Sequence, residues 1–218
     1  MTAESRIARR TGLPVACAGA DAHAAALRLL DEGVSGIVSF GIAGGLAPGV
    51  RPGMLVVATA VIGEGEVFTT NQAWRTALLH ALPHATSAPL AGVSAPVATV
   101  ADKAALHALT GAVAVEMESL AVARACRDRG RPFAVLRAIA DPAERAVPAA
   151  ALAGLDAGGR MAPGAVLGPL LRDPGHIMEL CRLGWDFARA MAALNAAARA
   201  FPGRSLGLDP LERVGDVA

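Results

Sequence analysis

Apolar positions along this chain come in short unbroken runs, at residues 13–18, 36–40, 54–62, 90–98, 111–115 and 132–140. Each has the length of a strand buried on both faces. Between the runs the period lengthens. Asp21 offers an N-cap to a helix marked by Ala25, Leu27 and Leu30 and stopped near Gly33. A second helix starts at Asn71 or Gln72, runs through Trp74, Leu78 and Leu79, and is closed by Pro83. Thr99 and Asp102 resemble a capping box for a third, to about Leu109. A fourth runs from Glu118 to Arg129 and is stopped by Gly130 and Pro132. The stretch Gly41-Ile42-Ala43-Gly44-Gly45-Leu46 reads as a turn, and Pro48, Gly49, Pro52 and Gly53 as a second loop. Beyond Asp141 only helices are expected, short at 149–155 and 165–171, then long from Gly175 to about Ala200. Strands alternating with helices predict an α/β sheet covered on both sides, in one domain over residues 1–200 with a loose tail at 201–218.

Composition narrows the function classes. A formal net charge of +1 gives no basic field for nucleic acid, and an aromatic content of 3% without tyrosine leaves no platform for stacking bases. The 218 residues suffice for a core without disulfides or metal. Cys17, Cys126 and Cys181 are widely spaced and odd in number, which fits a reducing, cytoplasmic setting; they read as small core residues. No apolar signal core or membrane-length run is present. His80 and His84 stand four apart, but Pro83 lies between them, so no metal site is expected; the other histidines read as surface groups.

The candidate chemistry lies in carboxylates embedded in apolar sequence. Glu116 and Glu118 flank Met117 at a strand-to-helix junction, and Asp141 ends the next apolar run. Unpaired charge in an apolar setting is costly, so these positions suggest a polar pocket. Glu118 is either a helix-start acid or a holder of a vicinal diol such as the ribose hydroxyls. Asp141, before Pro142, is either a turn former or an acid in the pocket. Gly44 and Gly45 either make a tight turn or let a sugar or phosphate approach the backbone. The order Gly-x-x-Gly-Gly is neither a dinucleotide fingerprint nor a Walker loop. Arg6, Arg9 and Arg10 form a solvated basic face, or else Arg6 or Arg9 holds a phosphate.

Three segments together resemble the signatures of the nucleoside phosphorylase superfamily: Gly41-Ile42-Ala43-Gly44-Gly45-Leu46-Ala47-Pro48, Val115-Glu116-Met117-Glu118-Ser119 and Arg137-Ala138-Ile139-Ala140-Asp141. They are similar to those of methylthioadenosine/S-adenosylhomocysteine nucleosidases. With Ser39-Phe40 ahead of the first segment, Ser94-Ala95-Pro96-Val97-Ala98-Thr99 and the Asp141-Pro142-Ala143 step, they resemble the hopanoid-associated phosphorylases more closely. The resemblance implies a three-layer α/β/α sandwich with a central mixed sheet. The strand that in relatives leads into the segment matching residues 1–4 is not in this sequence: either the start site is misplaced or this version lacks that strand.

It also implies an enzyme that releases adenine from an adenosine-type nucleoside, by phosphorolysis of adenosylhopane in the hopanoid branch. Phosphate would be a co-substrate, with no metal or organic cofactor. Asp141 would protonate the purine N7 and Glu4 would orient an attacking water. Glu118 and Met117 would hold the ribose, Glu116 would support them, and Pro96 and Val97 would lie near the backbone that reads adenine. Arg6 and Arg9 are the phosphate candidates. The pattern departs in three places. Ala140 stands where relatives carry a serine, Ile42 where many have a hydroxyl that touches phosphate, and Ser39 where hexameric purine phosphorylases carry a phosphate arginine. The expected partners are a nucleoside, lipid-tailed in the hopanoid branch, further copies of the chain in a homo-oligomer, and a peripheral membrane contact. The alternatives are a methylthioadenosine/S-adenosylhomocysteine nucleosidase working by hydrolysis and a nucleoside-binding homologue without turnover.

Overall fold

The computed structural model describes residues 3–17, 21–148, 151 and 176–201. In chain order the elements are α1 (Ala3–Ala8), a 3-10 turn (Arg9–Thr11), α2 (Ala22–Asp31), β1 (Ile37–Gly45), β2 (Leu55–Gly63), β3 (Glu66–Thr69), α3 (Gln72–Ala81), β4 (Thr86–Gly92), α4 (Val100–Thr110), β5 (Ala114–Glu116), α5 (Ser119–Asp128), β6 (Phe133–Asp141) and α6 (His176–Ala200). The expected helices at 149–155 and 165–171 and the tail at 202–218 lie outside the described residues, Ala151 apart.

The strands form one mixed sheet in the order β3-β2-β4-β5-β1-β6. An added antiparallel pairing, Val56 with Arg137 and Val57 with Leu136, brings β6 back to β2 and closes the sheet on itself. β1 is parallel to β6 and antiparallel to β5, so it lies between the two strands that carry the acidic segments. Alternate residues of β6 face opposite ways. Phe133, Val135 and Ile139 join a cluster covered by α2 and α5, which contribute Ala26, Leu30, Ala123 and Cys126. Ala134 and Leu136 face α3 through Trp74 and Leu78, and Ala138 and Ala140 face α6 through Ala190 and Leu194. The sheet with helices on both faces matches the layered expectation. No strand precedes β1 among the described residues.

The helix starts follow local chemistry. Asp21, Asn71 and Thr99 each accept a backbone N–H three residues on, from Ala24, Trp74 and Asp102.

The strand expectations need four corrections. Residues 13–17 take no regular structure; Pro14 lacks a ladder donor, and Leu13 packs beside the α3 cluster instead. The glycine-rich stretch is not a turn. β1 runs through Gly45, and Gly41, Gly44 and Gly45 are absent from the positive-φ residues. β4 begins at Thr86 and stops at Gly92, where an added Cβ would lie 2.8 Å from Leu120 Cβ, leaving residues 93–98 as a loop. β3 was not expected. It forms because Glu64 and Gly65, with φ of 51° and 76°, make a hairpin turn with both central residues left-handed.

Candidate active site

Arg137 is the centre on which the acids converge. It sits on β6, beside Gly41 of β1, with 3% of its side chain exposed. Its guanidinium reaches across β1 toward β5 because β1 is built of small residues there. A Cβ on Gly41 would lie 2.4 Å from Arg137 Nη1 and 2.9 Å from Glu4 Oε1. Arg137 Nη2 donates to Glu116 Oε2 at 2.5 Å, Ser39 Oγ at 2.9 Å, Ser119 Oγ at 3.0 Å and Glu118 Oε2 at 3.3 Å. Burial alone would lower the arginine pKa. Glu116, Glu118 and Glu4 outweigh it and hold the group above its usual value.

The acids around this arginine come from separate parts of the chain. Glu116 ends β5 and is itself buried. Its carboxylate accepts the amides of Glu118 (3.0 Å) and Ser119 (2.9 and 3.0 Å), so it, rather than Glu118, caps α5. Glu118 occupies the N-cap position without a capping hydrogen bond. Its side chain keeps 42% of its surface open, so a ligand can reach it. The protein around its carboxyl nevertheless pushes its pKa up to about 7. Burial is the largest cause, Arg137 opposes it, and the neighbouring Glu116 adds to it. Glu4, from α1, accepts the Ile42 amide at 3.1 Å. Met117 is exposed beside Glu118.

Asp141 lies further along β6. A register shift between Ala43 and Gly44 puts Asp141, not Ala140, opposite Gly44. Its Oδ1 and Oδ2 lie 3.2 and 3.4 Å from where a Gly44 Cβ would be, and its carbonyl oxygen 3.0 Å from a Gly45 Cβ. The close approach that these glycines permit is therefore made first by the chain itself. Buried Lys103 of α4 pairs with Asp141 Oδ2. Burial raises the Asp141 pKa above the ordinary carboxylate value; Lys103 opposes the shift without cancelling it.

The remaining expected residues are more dispersed. Pro96 is exposed in the loop after β4, and Val97 packs beside Leu46 and Val115. Arg6 and Arg9 are exposed. Ser39 and Ile42, the positions that depart from the phosphate-binding pattern, are engaged internally. The Ser39 hydroxyl accepts from Arg137 and Ser119, and the Ile42 side chain packs in the α6 cluster. Among the cysteines only Cys126 is a core residue, its pKa pushed up to about 12 by burial; Cys17 and Cys181 are exposed, against expectation. His107 Nδ1 lies 2.8 Å from the Ala112 carbonyl oxygen. Among the described residues no three His, Cys, Asp or Glu side chains group so as to hold a metal, and no helix is long and apolar enough to cross a membrane.

Sequence reasoning did not single out Arg137 or Lys103. An arginine inside an otherwise apolar strand was the available signal for the first. Nothing local marked the second.

Solved structures with this fold include the 5'-methylthioadenosine/S-adenosylhomocysteine nucleosidase of Helicobacter pylori, crystallised with a substituted pyrrolidin-3-ol. It is 19% identical, with a TM-score of 0.60, covering 84% of this chain and 73% of that one. The corresponding nucleosidase of Neisseria meningitidis, bound to methylthio-immucillin-A, is 18% identical, with a TM-score of 0.60 and coverages of 84% and 76%. The futalosine hydrolase of Helicobacter pylori is 18% identical, with a TM-score of 0.60 and coverages of 84% and 73%. No curated protein matches the sequence. The sequence model of the Phosphorylase superfamily matches residues 4–156, and the chain belongs to that superfamily.

Proposed function

We propose that this chain cleaves the N-glycosidic bond of an adenosine-type nucleoside and releases adenine. One observation carries the reading. Glu4, Glu116 and Glu118 gather around Arg137 at Gly41, while Asp141 sits against Gly44, three residues along the same strand. Along the strand the two glycines are about 10 Å apart.

Breaking the bond between C1′ and the base leaves positive charge on the ribose and negative charge on the departing purine. Asp141, whose burial favours the protonated form, gives its proton to N7 so that the base leaves neutral. Glu118 accepts the ribose hydroxyls, and Met117 lies beside it against the sugar. Fixing the ring in this way stabilises its developing positive charge. The backbone at Pro96 and Val97 reads the adenine edge. Glu4 takes the proton of the attacking water as the new C1′–O bond forms.

Water is the acceptor that the arrangement favours. The Ile42 amide and the Ser39 hydroxyl, which an anion would use, already bind Glu4 and Arg137. Three carboxylates facing one guanidinium disfavour a phosphate dianion. Phosphorolysis is the second reading, favoured by exposed Arg6 and Arg9 on the segment that carries Glu4. The resemblance to the hopanoid-associated branch makes adenosylhopane the first substrate to try, beside methylthioadenosine. The test is free adenine measured from each nucleoside with and without phosphate. Adenine at the same rate in both, with the unphosphorylated 5′-substituted ribose as the sugar product, is expected. Phosphate-dependent release of the 5′-substituted ribose 1-phosphate would select the second reading, and no release from any nucleoside would remove both.

A further inference from the structure

Lys103 is the buried residue of α4, with 1% of its side chain exposed. A helix that turns its lysine inward while leaving apolar Val100 and Leu109 exposed inverts the usual arrangement. Burying an ammonium is costly unless all its protons are matched. Here they are. Lys103 Nζ donates to Asp141 Oδ2, to the Pro142 carbonyl at 2.9 Å and to the Arg145 carbonyl at 2.9 Å, one acceptor for each of its three protons. The residue before the aspartate, Ala140, has no side-chain donor to orient it.

We propose that Lys103 is the positioning residue of Asp141, anchored on the two carbonyls, tying up Oδ2 and leaving Oδ1 toward the Gly44 face as the oxygen that carries and delivers the proton. This rests on the functional reading above, in which Asp141 is the acid. The lysine itself neither touches substrate nor gives up a proton. Its three hydrogen bonds lock the Asp141 carboxyl and the Pro142–Arg145 turn onto α4 as one unit. Oδ1 is the oxygen nearer the Gly44 position, 3.2 Å against 3.4 Å for Oδ2. The other charged groups facing Asp141 are Arg145, from the turn after β6, and Asp186, from α6. They pair with each other. Lys103 is therefore the positive charge that pairs with Asp141 directly.

Lys103→Met removes the charge and all three bonds at similar length. Lys103→Gln is a second neutral variant that keeps a donor and so tolerates burial better. Folding of each is checked by thermal melting before kinetics. In whichever neutral variant folds, kcat for base release should fall about tenfold or more. KM should stay within about twofold, because the sugar-holding Glu118 is untouched. Asp141 must be protonated to act, and Lys103 pulls its proton affinity down. Loss of the lysine should therefore move the high-pH limb of the kcat profile upward by about one pH unit. Lys103→Arg, which keeps the charge, should return the limb to its wild-type position. A folded neutral variant with wild-type kcat and an unmoved limb overturns the inference. So does a kcat loss with the limb unmoved, which a purely structural lysine would give. If the wild-type chain releases no base, the functional reading fails instead. Wild-type turnover that Asp141→Asn abolishes, with the Lys103 variants unaffected, fails this inference alone.

Discussion

Glu118 links the chemistry of the site to the stability of the protein. Its proton is held to about pH 7 in the folded chain, against an ordinary value of 4.5. Between those values the unfolded chain has released the proton and the folded chain retains it. The stabilising contribution is thus complete below the lower value and is lost as pH rises through the upper one. Melting temperatures measured from about pH 4 to 8 should therefore decline more steeply in the wild type than in Glu118→Gln, which has no such proton. Parallel curves would contradict the assignment. The same carboxyl shows what a sequence does and does not reveal about a site. That Glu116, Glu118 and Asp141 must find polar partners was legible, because carboxylates inside apolar runs need a reason to be there. Which of them is solvated, which caps the helix and which faces a lysine was not. Those answers depend on Arg137 and Lys103, whose partners lie 18 to 98 and 38 to 42 residues away in the chain.

At the scale of elements, helices and strands differ in how local their causes are. Asp21, Asn71 and Thr99 cap helices by accepting their own backbone N–H groups three residues on, so the sequence around each start was enough. Thr99→Ala removes the cap of the helix that carries Lys103, and should lower stability in urea by about 1 kcal/mol. A variant as stable as the wild type would show that packing alone holds that end. The glycines of β1 misled for the opposite reason. Glycine in a run predicts a turn, but Gly41 and Gly44 are extended and small because Arg137 and Asp141 occupy the space a side chain would need. The boundary of β4 is similarly non-local. The apolar run continues past Gly92, but Leu120 of α5 closes over that residue and the strand stops.

For the molecule as a whole, the sheet order explains how distant segments come side by side. β1 runs between β5 and β6, and small residues on it let Arg137 reach from one neighbour to the acids on the other. The β2–β6 pairing fixes Arg137 from its own far side, through Val56. Membership of the Phosphorylase superfamily points toward chemistry at the bond between a sugar and a base. The most direct measurement is adenine release from a 5′-substituted adenosine by the wild-type chain and by Asp141→Asn, which keeps the shape of the acid and removes its proton. The account predicts turnover by the wild type and a loss of about a hundredfold or more in kcat for the variant, with KM little changed. Equal rates in the two proteins would contradict it.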